Sequence, residues 1–334
     1  ATDYVDGMIA MTEALVAKGH AYAADGHVLF DTTSMADYGV FSKRSQKELI
    51  AGARVEVAPY KRNATDFVLW KPSDDQQPGW DSPWGKGRPG WHLECSVMSE
   101  ALLGETFDIH GGGIDLVFPH HQNEIAQSTC AHDGAAFANY WMHNGHVTVA
   151  GEKMSKSLGN FLTVHELLDE FPGEAIRLTL LSAHYRQPLD FTKDAIAESR
   201  RTLDKWYRAI GDAAAAELPE AVMNALCDDL NTPKAIAEMH RLSDQAMAGD
   251  GSAAASLKAV GQVIGLLQAT PEAWFQGEGG DDDLSAAAID GLIEQRRQAR
   301  ADKDFATSDR IRDELAAQGI ILEDGAGGTT WRRS

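Results

Sequence analysis

The sequence has no apolar run long enough to cross a membrane, few cysteines, and much less positive than negative charge. No stretch of about 18 or more apolar residues occurs in its 334 residues, which argues against a membrane-spanning helix. No basic segment followed by an apolar one indicates export. The three cysteines, Cys95, Cys130 and Cys227, are too few and too far apart for a disulfide framework. We therefore expect a cytoplasmic protein with no membrane partner.

The scarcity of positive charge bears on nucleic-acid binding. Lys and Arg number 30 against 50 Asp and Glu, giving a formal net charge of −20. Phosphate contacts need Lys and Arg, so composition alone argues against a nucleic-acid partner. A basic patch can nevertheless lie in an acidic protein, and Trp331-Arg332-Arg333 is a small one. The length allows two to four domains.

The chain enters regular structure at once. Its first residue is Ala1, and Tyr4–Leu15 already has the spacing of an amphipathic helix. We expect the sequence to be part of a longer protein.

Strands and helices alternate in the first half. The predicted elements are a helix to residue 20, strands at 28–30 and 67–70 around a charged helix near 45–51, a loop at 72–90, a helix at 92–103, a buried strand at 106–109, a glycine loop at 111–113, a helix at 119–129 and a strand at 140–143. This order predicts a parallel α/β domain.

The second half is helical. The predicted elements are helices at 163–168, 175–181, 193–215, from 232 onward, 285–301 and 304–318, an acidic linker at 277–283, and a hairpin of 320–322 with 329–331.

One five-residue word stands out on a glycine-bounded loop between a strand and a helix, namely Lys153-Met154-Ser155-Lys156-Ser157. Two lysines on such a loop can neutralise nucleotide phosphates. A pair of lysines at this spacing is usually just solvated surface. The whole word, however, resembles the KMSKS signature of the class I aminoacyl-tRNA synthetases, which is highly specific.

A second group combines a thiol, an imidazole and a carboxylate. His120 and Glu124 are four residues apart on a predicted helix and share a face, and Cys95 precedes them. All three side-chain types bind zinc. On spacing alone, a core cysteine and a surface His/Glu pair are the commoner interpretation.

The surroundings of these residues strongly resemble the cysteinyl-tRNA synthetases. The resemblance is carried by residues 90–96, 107–116 and 118–128 and covers essentially the whole chain. It implies that Cys95, His120 and Glu124 hold zinc with a second cysteine located near the family's N-terminal HIGH signature. This sequence has neither that cysteine nor a HIGH-like word. Cys130 and Cys227 match no ligand and are predicted core residues.

The resemblance also implies substrate-binding residues. Lys153 and Lys156 would act on the phosphates of ATP, Asp115, His110 and Gly112 would contact the nucleotide, and Trp91 and His110 would line the cysteine pocket. Without the resemblance, Asp115 could equally be a residue that caps a turn, and Trp91 could equally be a core residue.

The C-terminal segment resembles the family's anticodon-binding region. The residues that match its anticodon readers are Arg300, Phe305, Asp309 and Asp324. Phe305 takes the place of a tryptophan, so it keeps a stacking face and loses the indole N–H donor. Arg300 alone would pass for a solvated helix charge.

The function implied is ligation of L-cysteine to tRNA(Cys) through cysteinyl-adenylate. ATP, with Mg²⁺, is the substrate that drives the reaction. An apolar pocket could not separate cysteine from serine by the factor of about 10⁴ that translation needs. Zn²⁺ can, because it binds a thiolate far better than a neutral hydroxyl.

The implied fold is α/β plus α. We expect a connective insertion (1–86), the second half of a Rossmann-type class I catalytic domain (87–150), the KMSKS loop and stem-contact region (151–192), a helical tRNA-binding bundle (193–275), a linker (276–284) and a small α+β anticodon-binding domain (285–334).

Two alternatives remain open. A mycothiol-pathway cysteine ligase would share the zinc and KMSKS words but lack an anticodon-binding tail. A catalytically inactive tRNA-binding fragment would fit the absent HIGH region. We expect the chain alone to hold zinc more weakly than a four-ligand site. We also expect it not to catalyse cysteine-dependent ATP–pyrophosphate exchange until its partner, the N-terminal fragment, is added.

Overall fold

The computed structural model describes residues 1–44, 48, 58–154, 159, 162–277, 284–325 and 328–333. Chain contacts divide it into two units, Ala1–His146 and Val147–Ser334. Within the described ranges, no helix has the length and apolar character needed to cross a bilayer. The predicted helix near 45–51, most of the KMSKS word and the linker at 278–283 lie outside these ranges.

The first unit opens with the predicted helix, α1 (Val5–Ala17), followed by an antiparallel sheet of four strands in sequential order. The strands are β1 (Ala21–Ala24), β2 (His27–Phe30), β3 (Phe67–Pro72) and β4 (Gly87–Pro89). The sequence predicted β2 and β3 and missed β1 and β4. The segment of β4 was predicted as loop because of its Gly and Pro. A side chain at Gly87 would in fact collide with the Trp70 indole and the Lys71 carbonyl of β3, so glycine is what lets these strands pair.

A parallel strand pair follows. The elements are α2 (Trp91–Leu103), β5 (Phe107–Gly113), α3 (Gln122–Ala131) and β6 (Ala138–Asn144), and β5 pairs in parallel with β6. This confirms the α/β prediction for this segment.

Two details of β5 differ from the predictions. The glycines at 111–113 are strand and not loop, because they pair with Met142–Asn144 of β6. Ile109, predicted to be buried, is 60% exposed, and Tyr140, its partner across the strands, is 69% exposed. Their shared face of the pair is thus open to solvent.

One core joins α1, the antiparallel sheet, α2 and α3. Met8, Leu15, Phe30, Trp70 and Leu93 are fully buried in the first unit. Burying each aliphatic side chain of this size stabilises the fold by about 1.5–3 kcal/mol. The prediction that Cys130 is a core residue is confirmed. The same prediction for Cys227 is wrong, because that residue is exposed at the end of its helix.

The second unit begins with a hairpin, β7 (Val147–Val149) and β8 (Glu152–Lys153), with β9 (Leu189–Asp190) parallel to β7. Ala150 and Gly151 form the turn with φ of 53° and 78°. The Asp190 carboxylate accepts hydrogen bonds from the Thr148 hydroxyl and the Gly151 N–H, each 3.0 Å long. The backbone that leads into the KMSKS word is therefore held from β9.

Among the described residues of this unit, seven helices surround its larger core. They are α4 (Val164–Leu168), α5 (Gly173–Leu181), α6 (Lys193–Ile210), α7 (Glu220–Cys227), α8 (Thr232–Met247), α9 (Gly251–Ile264) and α10 (Pro271–Gln276). Trp206 and Tyr207 of α6 are fully buried in this core. The helix predicted to reach residue 215 ends at Ile210, because Gly211 takes a positive φ of 47°.

A capping box starts α4. The Thr163 hydroxyl accepts from the Glu166 N–H at 3.2 Å, and the Glu166 carboxylate accepts from the Thr163 N–H at 3.1 Å. We expect Thr163→Ala to lower the free energy of unfolding by about 1 kcal/mol. The substitution removes the acceptor of the Glu166 N–H and breaks the capping box. Urea unfolding measures this. Thr163→Ser keeps the hydroxyl and is the control; equal losses in both variants would contradict the capping role.

The C-terminal part is a helix pair and a hairpin, as predicted. Its elements are α11 (Ala286–Ala301), α12 (Phe305–Ala317), β10 (Ile320–Gly325) and β11 (Gly328–Arg333), and the strands pair antiparallel. A small core of its own is formed by Ile289, Ile311, Leu315, Ile320 and Trp331.

The basic patch predicted at residues 331–333 is not free. Trp331 is buried, and the Arg332 guanidinium lies 3.0 Å from the Glu323 carboxylate. Arg333 donates to the carbonyl oxygens of Gln276 (2.9 Å) and Leu284 (2.8 Å). These arginines are used within the protein, which explains why their sequence position alone was misleading.

Candidate functional site

The start of α3 collects buried polar side chains. A wide helical turn at Val117–His121 precedes it, with Phe118 in extended conformation (φ −141°, ψ 133°). His120 and Glu124 then lie one turn apart, with 2.7 Å between His120 Nε2 and Glu124 Oε1. Both are buried, so they are not the surface His/Glu pair that spacing alone favours.

Cys95 completes the predicted triad from the second turn of α2. One donor atom each of Cys95, His120 and Glu124 lies within 4.8 Å of the others. Burial, with the Glu124 charge adding to it, raises the pKa of the Cys95 thiol to about 12. The structure thus brings the three predicted ligands together at a half-buried position.

Glu124 is fully buried and in contact with two imidazoles. Its Oε1 faces His120, and its Oε2 lies 2.9 Å from His110 Nε2. Burial opposes ionisation, but the contacts with His110 and His120 lower the pKa of Glu124 to about 2. Each oxygen of this buried carboxylate thus faces one imidazole nitrogen. Such a pair of oxygens suits a cation.

Further histidines surround the triad. His92 Nδ1 lies 2.7 Å from His120 Nδ1, and His121 Nδ1 lies 2.7 Å from His143 Nε2. Burial lowers the pKa of His92 and of His121 to about 4. The donor atoms of His110, His121 and Glu124 form a second set within 4.8 Å. Sequence reasoning missed His92, His121 and His143, because their contacts join residues that are 22 to 28 positions apart in the sequence.

Trp91 and His110, the predicted cysteine-pocket residues, both border this cluster. The Trp91 ring centroid lies 4.3 Å from that of His120, and 61% of Trp91 is exposed. His110, on β5, contacts Glu124 directly. Trp91 is therefore not the core residue that composition alone would favour.

The predicted nucleotide residues lie at the carboxyl end of β5. A side chain at Gly112 would approach His121 Cε1 to 2.9 Å, and one at Gly113 would approach the Asp115 carboxylate to 2.5 Å. Asp115 is exposed in a 3-10 turn, Ile114–Leu116. The two glycines thus make room for the His121 ring and the Asp115 carboxylate beside this strand end.

The predicted phosphate-binding lysines are placed only in part. Lys153 ends β8, where the hairpin and Asp190 fix its backbone. Lys156 lies outside the described residues.

The predicted anticodon residues lie on the C-terminal elements. Arg300 Nη1 is 3.2 Å from Asp324 Oδ2, so the structure brings these two together. Phe305 and Asp309 lie one turn apart on α12; Phe305 is 63% exposed, and Asp309 pairs with Arg312 at 3.1 Å. Sequence reasoning missed Arg296, which also binds Asp324.

Three family profiles match the chain. The profile of the tRNA synthetases class I (C) catalytic domain matches residues 1–201, a DALR domain matches 221–268, and the cysteinyl-tRNA ligase anticodon binding domain matches 281–332. The cysteine–tRNA ligase of Acidiphilium cryptum is 60% identical over 338 residues. The chain belongs to the cysteine–tRNA ligase family.

The relatives of this cysteine–tRNA ligase chain are longer than the chain itself. The match covers 100% of the chain and 74% of the Acidiphilium cryptum protein. The cysteine–tRNA ligase of Rhodospirillum rubrum is 58% identical over 345 residues, covering 100% of the chain and 75% of that protein. Among solved structures, Mycobacterium tuberculosis methionyl-tRNA synthetase with methionyl-adenylate is similar at 14% identity and a TM-score of 0.47, covering 89% of this chain and 66% of that one.

Proposed function

We propose that this chain belongs to an enzyme that joins L-cysteine to tRNA(Cys), using ATP to form cysteinyl-adenylate. The observation that carries the proposal is the convergence of Cys95, His120 and Glu124 beside Trp91 and His110, in a segment of class I synthetase sequence. The test is cysteine-dependent charging of tRNA(Cys) by the enzyme containing this chain. Serine in place of cysteine should give no product.

In this proposal Cys95, His120 and Glu124 hold Zn²⁺. The donor set fits, because thiolate, imidazole and carboxylate are the ordinary zinc ligands. The buried Glu124 carboxylate, with His120 beside one oxygen and His110 beside the other, supports a cation here. Zinc would supply a Lewis acid that favours a thiolate over a hydroxyl, which separates cysteine from serine.

The surrounding side chains orient the ligands and border the substrate. His92 meets the second ring nitrogen of His120 and fixes its orientation, as partners of metal-bound histidines do. Trp91 offers an exposed face beside His120, and His110 lies next to Glu124. We assign Trp91 and His110 to the cysteine pocket.

For ATP, we propose separate roles for two regions. Gly112 and Asp115, with His110, would contact the nucleotide, because they lie at or just beyond the carboxyl end of a parallel strand, where α/β sheets bind nucleotides. Lys153 and Lys156 would neutralise the phosphates as point charges. Mg²⁺ accompanies ATP in this proposal.

For tRNA, we propose that Arg300, Phe305, Asp309 and Asp324 read the anticodon. Phe305 presents an exposed face for base stacking, and Arg300 and Asp324 are in contact. The domain boundaries predicted above carry over, with the helical bundle at 193–275 and the anticodon-binding domain at 285–334.

We expect Arg300→Ala and Asp309→Ala each to weaken binding of tRNA(Cys) about tenfold, the usual value of one base contact. Binding of a tRNA with exchanged anticodon bases should change little, and zinc content should stay the same. Fluorescence titration of each labelled tRNA measures its dissociation constant, and repeating it at several salt concentrations shows how far phosphate contacts contribute.

Arg297→Ala is the matched control on the same helix as Arg300, since Arg297 is exposed and pairs with Glu294. If Arg300→Ala and Asp309→Ala bind both tRNAs as the wild type does, the anticodon assignment is wrong.

The mycothiol-pathway alternative has less support. It calls for a chain without an anticodon-binding tail, whereas residues 286–333 form the predicted helix pair and hairpin. That the 334-residue chain alone lacks exchange activity stays a prediction.

A further inference from the structure

The carboxylate of Asp324 is surrounded by donors from two elements, α11 and β11. Arg296 binds both oxygens, Nη1 to Oδ1 and Nη2 to Oδ2, each at 3.0 Å. Arg300 Nη1 donates to Oδ2 at 3.2 Å, and the Thr329 hydroxyl donates to Oδ1 at 2.6 Å. A carboxylate offers about four lone-pair positions, so these four bonds fill it.

The four donors are not equivalent. Arg296 is 8% exposed, lies in the interior of α11, and approaches Asp324 with both tips of its guanidinium. Its buried Nε has no hydrogen-bond partner among the described residues. Among those residues, Asp324 is the side chain that pairs with the Arg296 guanidinium. Arg300, by contrast, has a side chain that is 52% exposed.

This difference decides how a nucleobase can reach Asp324. With its acceptor positions filled, the carboxylate can bind a base amino or imino group only where an existing donor leaves. Arg300 and Thr329 lie on the exposed side and can leave, since water or RNA can take over their bonds. Arg296 cannot leave without placing a charge in the protein interior unpaired, which is costly.

We propose that Arg296 is a positioning residue for anticodon recognition. It holds Asp324 in one orientation while a donor of the RNA base replaces Arg300 or Thr329 at the carboxylate. The freed guanidinium of Arg300 then turns to the RNA. This inference rests on the proposed anticodon role of Arg300 and Asp324 and adds the residue that organises them.

The electrostatics agree with this geometry. The hydrogen bonds from Arg296 and Thr329 hold the pKa of Asp324 well below its usual range. Asp324 therefore remains an acceptor at any physiological pH, as recognition of a base donor requires.

The test compares variants of neighbouring arginines on α11. Arg296→Gln removes the charge and the two-point contact of the guanidinium with Asp324. Arg296→Lys keeps the charge and loses the two-point contact. Arg297→Gln is the matched control, because the side chain of Arg297 is 70% exposed. The probes are a tRNA(Cys) transcript and the same transcript with exchanged anticodon bases, and the readout is the ratio of their dissociation constants. Thermal unfolding of each variant reports folding.

We expect Arg296→Gln to lower this ratio about tenfold and Arg296→Lys about threefold to tenfold, with the control unchanged. The loss should come from the cognate tRNA, with the exchanged one bound as before. If Arg296→Gln destabilises the domain, Arg296→Lys, which retains the charge opposite Asp324, decides the question.

The failures are distinguishable. A wild-type ratio in a folded Arg296 variant, together with a lost ratio in Arg300→Ala and Asp324→Asn, would overturn the positioning role and leave the anticodon site in place. A wild-type ratio in all of these variants would instead overturn the anticodon site and this inference with it.

Discussion

Replacing Cys95 with alanine should strip the protein of zinc. The site has three protein donors within 4.8 Å of one another, and the thiolate is the one that a zinc site can least easily replace with water. Loss of a direct ligand should lower zinc affinity by more than about 100-fold, beyond what loss of an outer partner costs. Zinc content after dialysis against a weak chelator, measured by elemental analysis, should fall to background.

Two further cysteines supply the controls for this experiment. Cys227→Ala alters an exposed thiol on α7, and Cys130→Ala alters a buried one in the core of the first unit. Both variants should retain the zinc of the wild type. Equal zinc in wild type and Cys95→Ala would show that the metal site is misassigned.

Replacing Lys156 with alanine should slow adenylate formation by about 10²–10³-fold, as removal of one preorganised charge-stabilising group does. In its proposed role, Lys156 neutralises negative charge that develops on the phosphates of ATP. Cysteine-dependent ATP–pyrophosphate exchange by the enzyme containing this chain measures the rate. The loss should appear mainly in kcat, because the contact strengthens in the transition state.

Lys234→Ala is the control for charge removal, since Lys234 is an exposed residue in the first turn of α8. Because the exchange reaction does not involve tRNA, Lys234→Ala should catalyse it at the wild-type rate. Exchange at the wild-type rate in Lys156→Ala would remove this lysine from the reaction.

The proposed metal site shows which residues the sequence could predict and which it could not. Cys95, His120 and Glu124 could be chosen because resemblance marked their positions, and helical spacing placed two of them on one face. His92 could not be chosen, since its contact with His120 joins two helices 28 residues apart in sequence. Periodicity describes one element at a time, and contacts of this kind exist only after elements pack.

The same reason explains the errors in the strands and in the C-terminal region. The glycines of β5 were predicted as loop because glycine weakens strands in isolation, whereas pairing with β6 keeps them extended. Arg296 and Arg300 look alike in sequence, one turn apart on one helix. Only burial of the first and exposure of the second separate their roles.

The two bonds of Arg333 have a consequence for how this chain tolerates change in length. Its guanidinium holds the carbonyls of Gln276 and Leu284 and so fixes both ends of the connection between α10 and α11. Insertions between these ends leave the ends where they are, and doubling the length of such a connection costs only about 0.6 kcal/mol in closure entropy. An insertion between Gln276 and Leu284 should therefore leave both anchor points in place, whereas Arg333→Ala would release both at once.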